Sequence, residues 1–194
     1  MTEIKVAGLQ KNSFVDWPGN ICSVIFLGGC NFDCYYCHNR NILCDTANKI
    51  PLDDVLAEIK QQIGFVDGIV ISGGEPTIHP HLREIIMAGR ELGLPVKLDT
   101  NGSNFEMLKQ FVESGLIDYV AMDIKAPLQK YKQIVRVDVD LSEIEKSINY
   151  LKKQKKVDFM FRTTPCPGLT KKDFDEIKKL AGHAKWKKND FIPQ

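Results

Sequence analysis

No apolar run in the sequence approaches the roughly 18–20 residues needed to cross a bilayer, so a helical membrane span is excluded. The opening Met-Thr-Glu-Ile-Lys carries an acid and no apolar stretch, so no signal peptide and a cytoplasmic location are expected. Neither charge is in excess: 26 Lys and Arg stand against 25 Asp and Glu, a net charge of +1. That excludes the overall basic field of a typical nucleic-acid binder. The chain is also too short for a complete eight-unit β/α barrel of about 250 residues. At roughly 25–30 residues per strand-plus-helix, its 194 residues supply about six units. Repeats, low-complexity segments and linker-like stretches are absent. One domain over 1–194 is therefore expected, with an N-terminal strand and turn over 1–20 and a partial barrel over 21–194.

The neutrality conceals an asymmetry. Residues 1–145 hold 13 Lys/Arg and 20 Asp/Glu, whereas residues 146–194 hold 13 and 5. Solvated helix faces account for such a bias; the alternative is a basic patch for an acidic protein partner. Lys152, Lys153, Lys155 and Lys156 have no interleaved aromatic residues, which argues against nucleic acid.

Apolar runs and turn signals place strands over 3–10, 21–27, 68–72, 94–100, 117–124 and 157–164, with a weak sixth parallel strand over 185–192. Helical spacing places helices over 51–62, 80–92, 104–114, 141–154 and 170–182, and a short extra helix within 126–140. Asn104 and Thr170 read as N-caps, and Ser142 with Glu145 as a capping box. Strand and helix alternate throughout, so the expected fold is α/β: a partial (β/α)6, TIM-like barrel of parallel strands with outer helices. Ligands of such folds sit beyond the carboxyl ends of the strands. The polar groups of five strand ends would therefore meet on one rim.

Six cysteines are present: Cys22, Cys30, Cys34, Cys37, Cys44 and Cys166. Clustering in a cytosolic chain points to metal rather than disulfides. Cys30, Cys34 and Cys37 follow a C-x3-C-x2-C spacing on an exposed loop. Three thiolates can hold three corners of an iron–sulfur cube, leaving one iron open. Zinc held by these three with His38 or Cys44 is the alternative on spacing alone. Cys22, Cys44 and Cys166 read as incidental, and His79 and His81 as exposed helix-start residues.

The cysteine loop with Tyr36 before its last cysteine, followed by Gly73-Gly74-Glu75-Pro76, resembles the radical S-adenosylmethionine (SAM) superfamily. Asp16-Trp17-Pro18-Gly19, Cys37-His38-Asn39, Asp99-Thr100-Asn101-Gly102 and Met122-Asp123-Ile124-Lys125 are similar to segments of its glycyl-radical-enzyme activating proteins. Over nearly its whole length the chain most resembles the activating proteins of anaerobic ribonucleoside-triphosphate reductase. The family pattern continues past the sixth strand, whereas this sequence stops at 189–194.

The resemblance implies a radical SAM oxidoreductase with a 4Fe–4S cluster on Cys30, Cys34 and Cys37. SAM contacts are implied at Tyr36, Gly73, Gly74, Glu75, Asp99, Asn101, Asp123, Lys125 and Arg162. A monovalent cation site is implied at Asp99, Thr100 and Asp123. The implied partners are a glycyl radical enzyme, expected to be the anaerobic reductase, and a flavodoxin- or ferredoxin-type electron donor. Neither membrane nor nucleic acid is implied as a partner. The rival readings are an activase of pyruvate formate-lyase type and a small-molecule radical SAM enzyme such as a deazaguanine synthase.

Overall fold

The computed structural model describes residues 4–43 and 49–191. The expected edge strand is two pieces, β1 (Lys5–Val6) and β2 (Gly8–Ser13), and it runs three residues further than its apolar pattern indicated. The apolar run at 21–27 forms β3 (Cys22–Leu27), antiparallel to β2. A short β4 (Ile50–Pro51) pairs with β1 and leads into α1 (Leu52–Lys60). There follow β5 (Gly68–Gly73), α2 (Leu82–Glu91), β6 (Val96–Thr100), α3 (Phe105–Glu113) and β7 (Tyr119–Asp123). The irregular segment holds the short α4 (Tyr131–Val135). The chain continues through α5 (Leu141–Lys153), β8 (Asp158–Thr163), α6 (Lys171–Ala181) and β9 (Trp186–Lys188). No helix among the described residues is long and apolar enough to cross a membrane.

The sheet order is β2-β3-β5-β6-β7-β8-β9, with all neighbours after β3 parallel. Six parallel strands with helical crossovers make the six-unit partial barrel that the length permits. The sixth strand is real but only three residues long. Among the described residues β2 and β9 do not pair with each other, so the sheet has an open seam between its two edges.

Side chains alternate across each strand, and the two faces differ in chemistry. Ile25, Leu27, Ile69, Ile71, Val96, Leu98, Val120, Met122 and Phe161 face outward into one apolar core with the helices. Inward, a small second cluster of Trp17, Cys22, Val24 and Val70 fills the end where the parallel strands start. Trp17 plugs that end, 5.9 Å from the Tyr119 ring. A Cβ on Gly68 would lie 2.7 Å from the indole, so glycine is required there.

Helix caps follow the sequence with one correction. Asn104 accepts from the Met107 amide, and Thr170 and Asp173 form a reciprocal capping box. The expected Ser142–Glu145 box does not form. Asp140 caps α5 by accepting from the Ser142 amide, because the helix starts two residues earlier than that box requires. In the basic quarter, Lys152 donates to the Leu180 carbonyl and Lys156 pairs with Glu113, so part of that run serves helix ends and helix packing.

Candidate functional site

The strand ends surround a cleft of about 600 Å³ on the concave face of the sheet. Cys30, Cys34, Tyr36, Cys37, Gly73, Gly74, Glu75, Asp99, Thr100, Asn101, Asp123, Lys125 and Arg162 all line it. The structure thus brings together every site residue expected from the sequence. The lining also reaches Gln10 on β2 and Lys187 on β9, the two edges of the open seam.

The cysteine loop leaves β3 and is stapled to its neighbours. The Glu75 amide donates to the Gly29 carbonyl at 2.9 Å, and the Asp33 amide to the Val135 carbonyl at 2.9 Å. Asn101 Nδ2 donates to Asn31 Oδ1 at 2.9 Å, and Asn31 Nδ2 to Ser103 Oγ at 2.7 Å. Asn39 Nδ2 donates to the Gly73 carbonyl at 3.1 Å. Gly73 and Gly74 let these backbones meet: a Cβ at either would lie within 2.5 Å of the Leu27 or Gly29 backbone.

Glu75 is 1% exposed. Its Oε1 accepts from the Thr77 amide, Thr77 Oγ1 and Thr100 Oγ1, and its Oε2 from the Asn101 amide. Burial raises its carboxyl above the ordinary range, against the pull of those donors. The geometry makes it a brace between the ends of β5 and β6.

A ladder of alternating charge crosses β6, β7 and β8 inside the barrel. Lys97 pairs with Asp99, whose Oδ2 also accepts from Ser72 Oγ and Arg162 Nη1, both at 3.0 Å. Arg162 Nε donates to Asp123 Oδ1 at 2.9 Å, and Lys125 Nζ to Asp123 Oδ2 at 3.0 Å. Burial opposes ionisation of Asp123, but Arg162 and Lys125 overcome it and hold the carboxyl at about 2. Arg162 and Lys97 likewise keep Asp99 below its ordinary value despite burial. Three cations and two carboxylates leave one net positive charge in the ladder.

At the expected cation site each residue has a side-chain partner within the chain. Asp99 and Asp123 are already neutralised by side chains, and Thr100 Oγ1 donates to Glu75 instead of facing them. Lys97 is the residue that sequence reading missed. It is 0% exposed, and the two-residue strand period puts it on the face of Asp99.

The donor set can be tested against metal chemistry. A single zinc ion draws four ligands to within about 2.3 Å of itself. Among the described residues no three His, Cys, Asp or Glu side chains converge in that way. Cys44, the alternative fourth ligand, lies outside the described residues. An iron–sulfur cube is held by cysteine thiolates, and Cys30, Cys34 and Cys37 all reach the cleft from one loop. Cys30 Sγ accepts from the Phe32 amide at 3.4 Å. Burial pushes the Cys30 thiol up to about 11, so loading a metal must displace protons. Tyr36 Oη is buried without a hydrogen-bond partner although the residue lines the cleft, which fits a polar ligand beside it. These residues therefore fit a cluster with a polar cosubstrate. Of the other cysteines, Cys22 and Cys166 are buried at 0% and 2% exposure and do not line the cleft.

Comparison with known proteins agrees with this chemistry. Residues 24–181 match the family model described as the radical SAM superfamily. The chain is 37% identical over 179 residues to a Methanocaldococcus jannaschii protein named as a glycyl-radical enzyme activating enzyme, covering 90% of this chain and 74% of that one. It is 33% identical over 210 residues to the pyruvate formate-lyase-activating enzyme of Streptococcus mutans, covering 95% and 75%. The crystal structure of Streptococcus suis SuiB bound to the precursor peptide SuiA shares the fold at a TM-score of 0.70 and 16% identity, covering 87% of this chain and 39% of that one. The chain belongs to the radical SAM superfamily and, within it, to the family of glycyl-radical-enzyme activating proteins.

Proposed function

We propose that this protein uses reductively cleaved SAM to remove a hydrogen atom from a backbone glycine of a partner enzyme. The cofactors of the superfamily are a 4Fe–4S cluster and SAM. When bound, they supply a 5′-deoxyadenosyl radical by one-electron cleavage of a sulfonium C–S bond. Cys30, Cys34 and Cys37 would hold the cluster. Tyr36 would contact the nucleoside, and the Gly73–Gly74 backbone would close on the methionine end. Lys125 and Arg162, with Asp99 and Asp123 fixing them, would offer positive charge to the methionine carboxylate. Glu75 and Asn101 would act through the loop they brace.

The observation that carries the reading is one cleft lined both by the three loop cysteines and by both edges of an open seam. A seam of this kind suits a substrate too large to be enclosed. The partner we propose is an anaerobic ribonucleoside-triphosphate reductase, on the motif resemblance. The S. mutans relative keeps a pyruvate formate-lyase type partner as the second reading. The test is anaerobic reconstitution with SAM, a one-electron reductant and each candidate partner, read by electron spin resonance. A glycyl radical on the reductase alone supports the assignment. SAM cleavage with no radical on the reductase refutes that partner.

A further inference from the structure

We propose that the buried Lys97 ammonium takes the place of a bound monovalent cation at Asp99. The resemblance implies such a cation on Asp99, Thr100 and Asp123, but the oxygens of these residues are otherwise engaged. Asp99 Oδ1 accepts from Lys97 Nζ. Its Oδ2 accepts from Ser72 Oγ and Arg162 Nη1, both at 3.0 Å. Asp123 Oδ1 accepts from Arg162 Nε and its Oδ2 from Lys125 Nζ. Thr100 follows Asp99 directly, so the strand period turns it to the opposite face. There its hydroxyl donates to Glu75 Oε1 at 2.7 Å and accepts from the Gly102 amide at 3.0 Å. The three residues thus turn their oxygens to different partners instead of to one ion.

Lys97 has the attributes that the role requires. An ε-ammonium is a compact point charge, with the sign and magnitude of an alkali ion. Lys97 is 0% exposed and Asp99 is 6% exposed, so the pair lies out of solvent, where an unpaired carboxylate is strongly disfavoured. Arg162 is shared between Asp99 and Asp123, so Asp99 needs a positive charge of its own. The chain supplies it from the same face of the same strand. A tethered ammonium stays at the carboxylate whatever the salt, whereas a free ion binds by mass action.

The charge count shows what the replacement achieves. Lys97, Arg162 and Lys125 face Asp99 and Asp123, three cations against two carboxylates. Without Lys97 the row is neutral, and the two acids consume the charge of Arg162 and Lys125. With it, one positive charge remains for an anionic ligand in the cleft. Arg162 and Lys125 are the half-buried members that can offer that charge. Lys97 is sealed behind them and acts through Asp99, which makes it a positioning residue. That the anion is the methionine carboxylate rests on the function proposed above; the replacement of the cation does not.

The test compares potassium chloride with tetramethylammonium chloride at one ionic strength, the second cation being too bulky to reach a buried carboxylate. One readout is the thermal midpoint of the metal-free protein. The other is the SAM affinity of the anaerobically reconstituted holoprotein by equilibrium dialysis, which needs no reductant. Wild type should give the same midpoint and the same affinity in both salts. Lys97→Ala removes one charge and opens space beside Asp99. In tetramethylammonium it should bind SAM about tenfold or more weakly, one charge fewer facing an anion in a site poorly screened by water. Potassium should restore most of that loss and raise the midpoint by about 2–4 °C. Lys97→Met fills the space with an uncharged chain and should stay weak in both salts, which separates a missing cation from missing packing. A wild type that gains midpoint or affinity from potassium overturns the proposal, as does a folded Lys97→Ala protein that gains neither. If Lys97→Ala folds in neither salt, the wild-type comparison decides alone. Holoprotein that binds no SAM in either salt refutes the function proposed above, and the midpoints still decide the role of Lys97.

Discussion

Gly74→Ala tests how the site is assembled. An added Cβ would lie 1.6 Å from the Gly29 carbonyl oxygen and 2.6 Å from its carbon. Both atoms are backbone, so no side-chain rotation relieves the clash. Relief requires moving the cysteine loop off the end of β5. Two backbone hydrogen bonds stand at that junction: Gly74 N–H to Leu27 O at 2.8 Å and Glu75 N–H to Gly29 O at 2.9 Å. Each is worth about 1 kcal/mol net, and overpacking adds about 1–3 kcal/mol. The expected loss is about 3–5 kcal/mol, a large share of the roughly 5–15 kcal/mol that holds a domain together.

Urea unfolding of the metal-free protein, followed by circular dichroism, reads that loss directly. Iron content after anaerobic reconstitution reads the other outlet, since a loop that yields carries Cys30 with it. Gly115→Ala is the control. Gly115 has φ 67° with nothing within 4 Å of an added Cβ, so the change brings only left-handed strain of about 1–2 kcal/mol. A Gly74→Ala protein within about 0.5 kcal/mol of wild type, a margin usual for neutral surface changes, and loaded with a full complement of iron would refute the packing argument.

Asp123 should make the protein acid-sensitive. Its folded carboxyl sits at about 2, below the ordinary 3.8. It therefore adds stability above about pH 4 that is lost as pH falls towards 2, about 2 kcal/mol in all. The gap between urea midpoints at pH 5 and pH 2.5 should be smaller in Asp123→Asn than in wild type; parallel pH profiles would contradict the pairing. Replacing Cys30, Cys34 or Cys37 with Ser should abolish iron loading, while Cys22→Ala and Cys166→Ala should retain it. Iron and sulfide assays after reconstitution decide this, and full iron in a Cys34→Ser protein would count against the cluster assignment. Trp17→Ala should lower stability by about 3–5 kcal/mol through the cavity it leaves without reducing iron loading, because the plug lies at the opposite end of the strands from the cysteine loop. Loss of iron at unchanged stability would show that end to belong to the site.

The alternation of strand and helix was legible because the outer faces of β3, β5, β6, β7 and β8 are apolar and the helices repeat at their own period. Positions were legible for a related reason: a parallel sheet sends its strand ends to one rim, so Asp99, Asp123 and Arg162 had to meet. Partners were harder. Glu75 and Asn101 carry groups that a ligand or a neighbouring loop could equally satisfy, and only the tertiary structure assigns them to Thr77, Thr100 and Asn31. Asp140 and Ser142 both suit an N-cap, and the helix start one residue after Asp140 decides between them.

Lys97 was missed although its signal was present. A lysine inside a strand reads as solvent-facing by habit, but Lys97 lies two residues before Asp99 and so shares its face. Once Asp99 is placed in the barrel, Lys97 must be there as well, and a buried ammonium requires an acceptor. That acceptor is Asp99, which also holds Arg162. One charge thereby fixes the next, from β6 to β8, and the last of them borders β9 through the Arg162–Lys187 register. The row ends on β8, one strand short of the sheet edge.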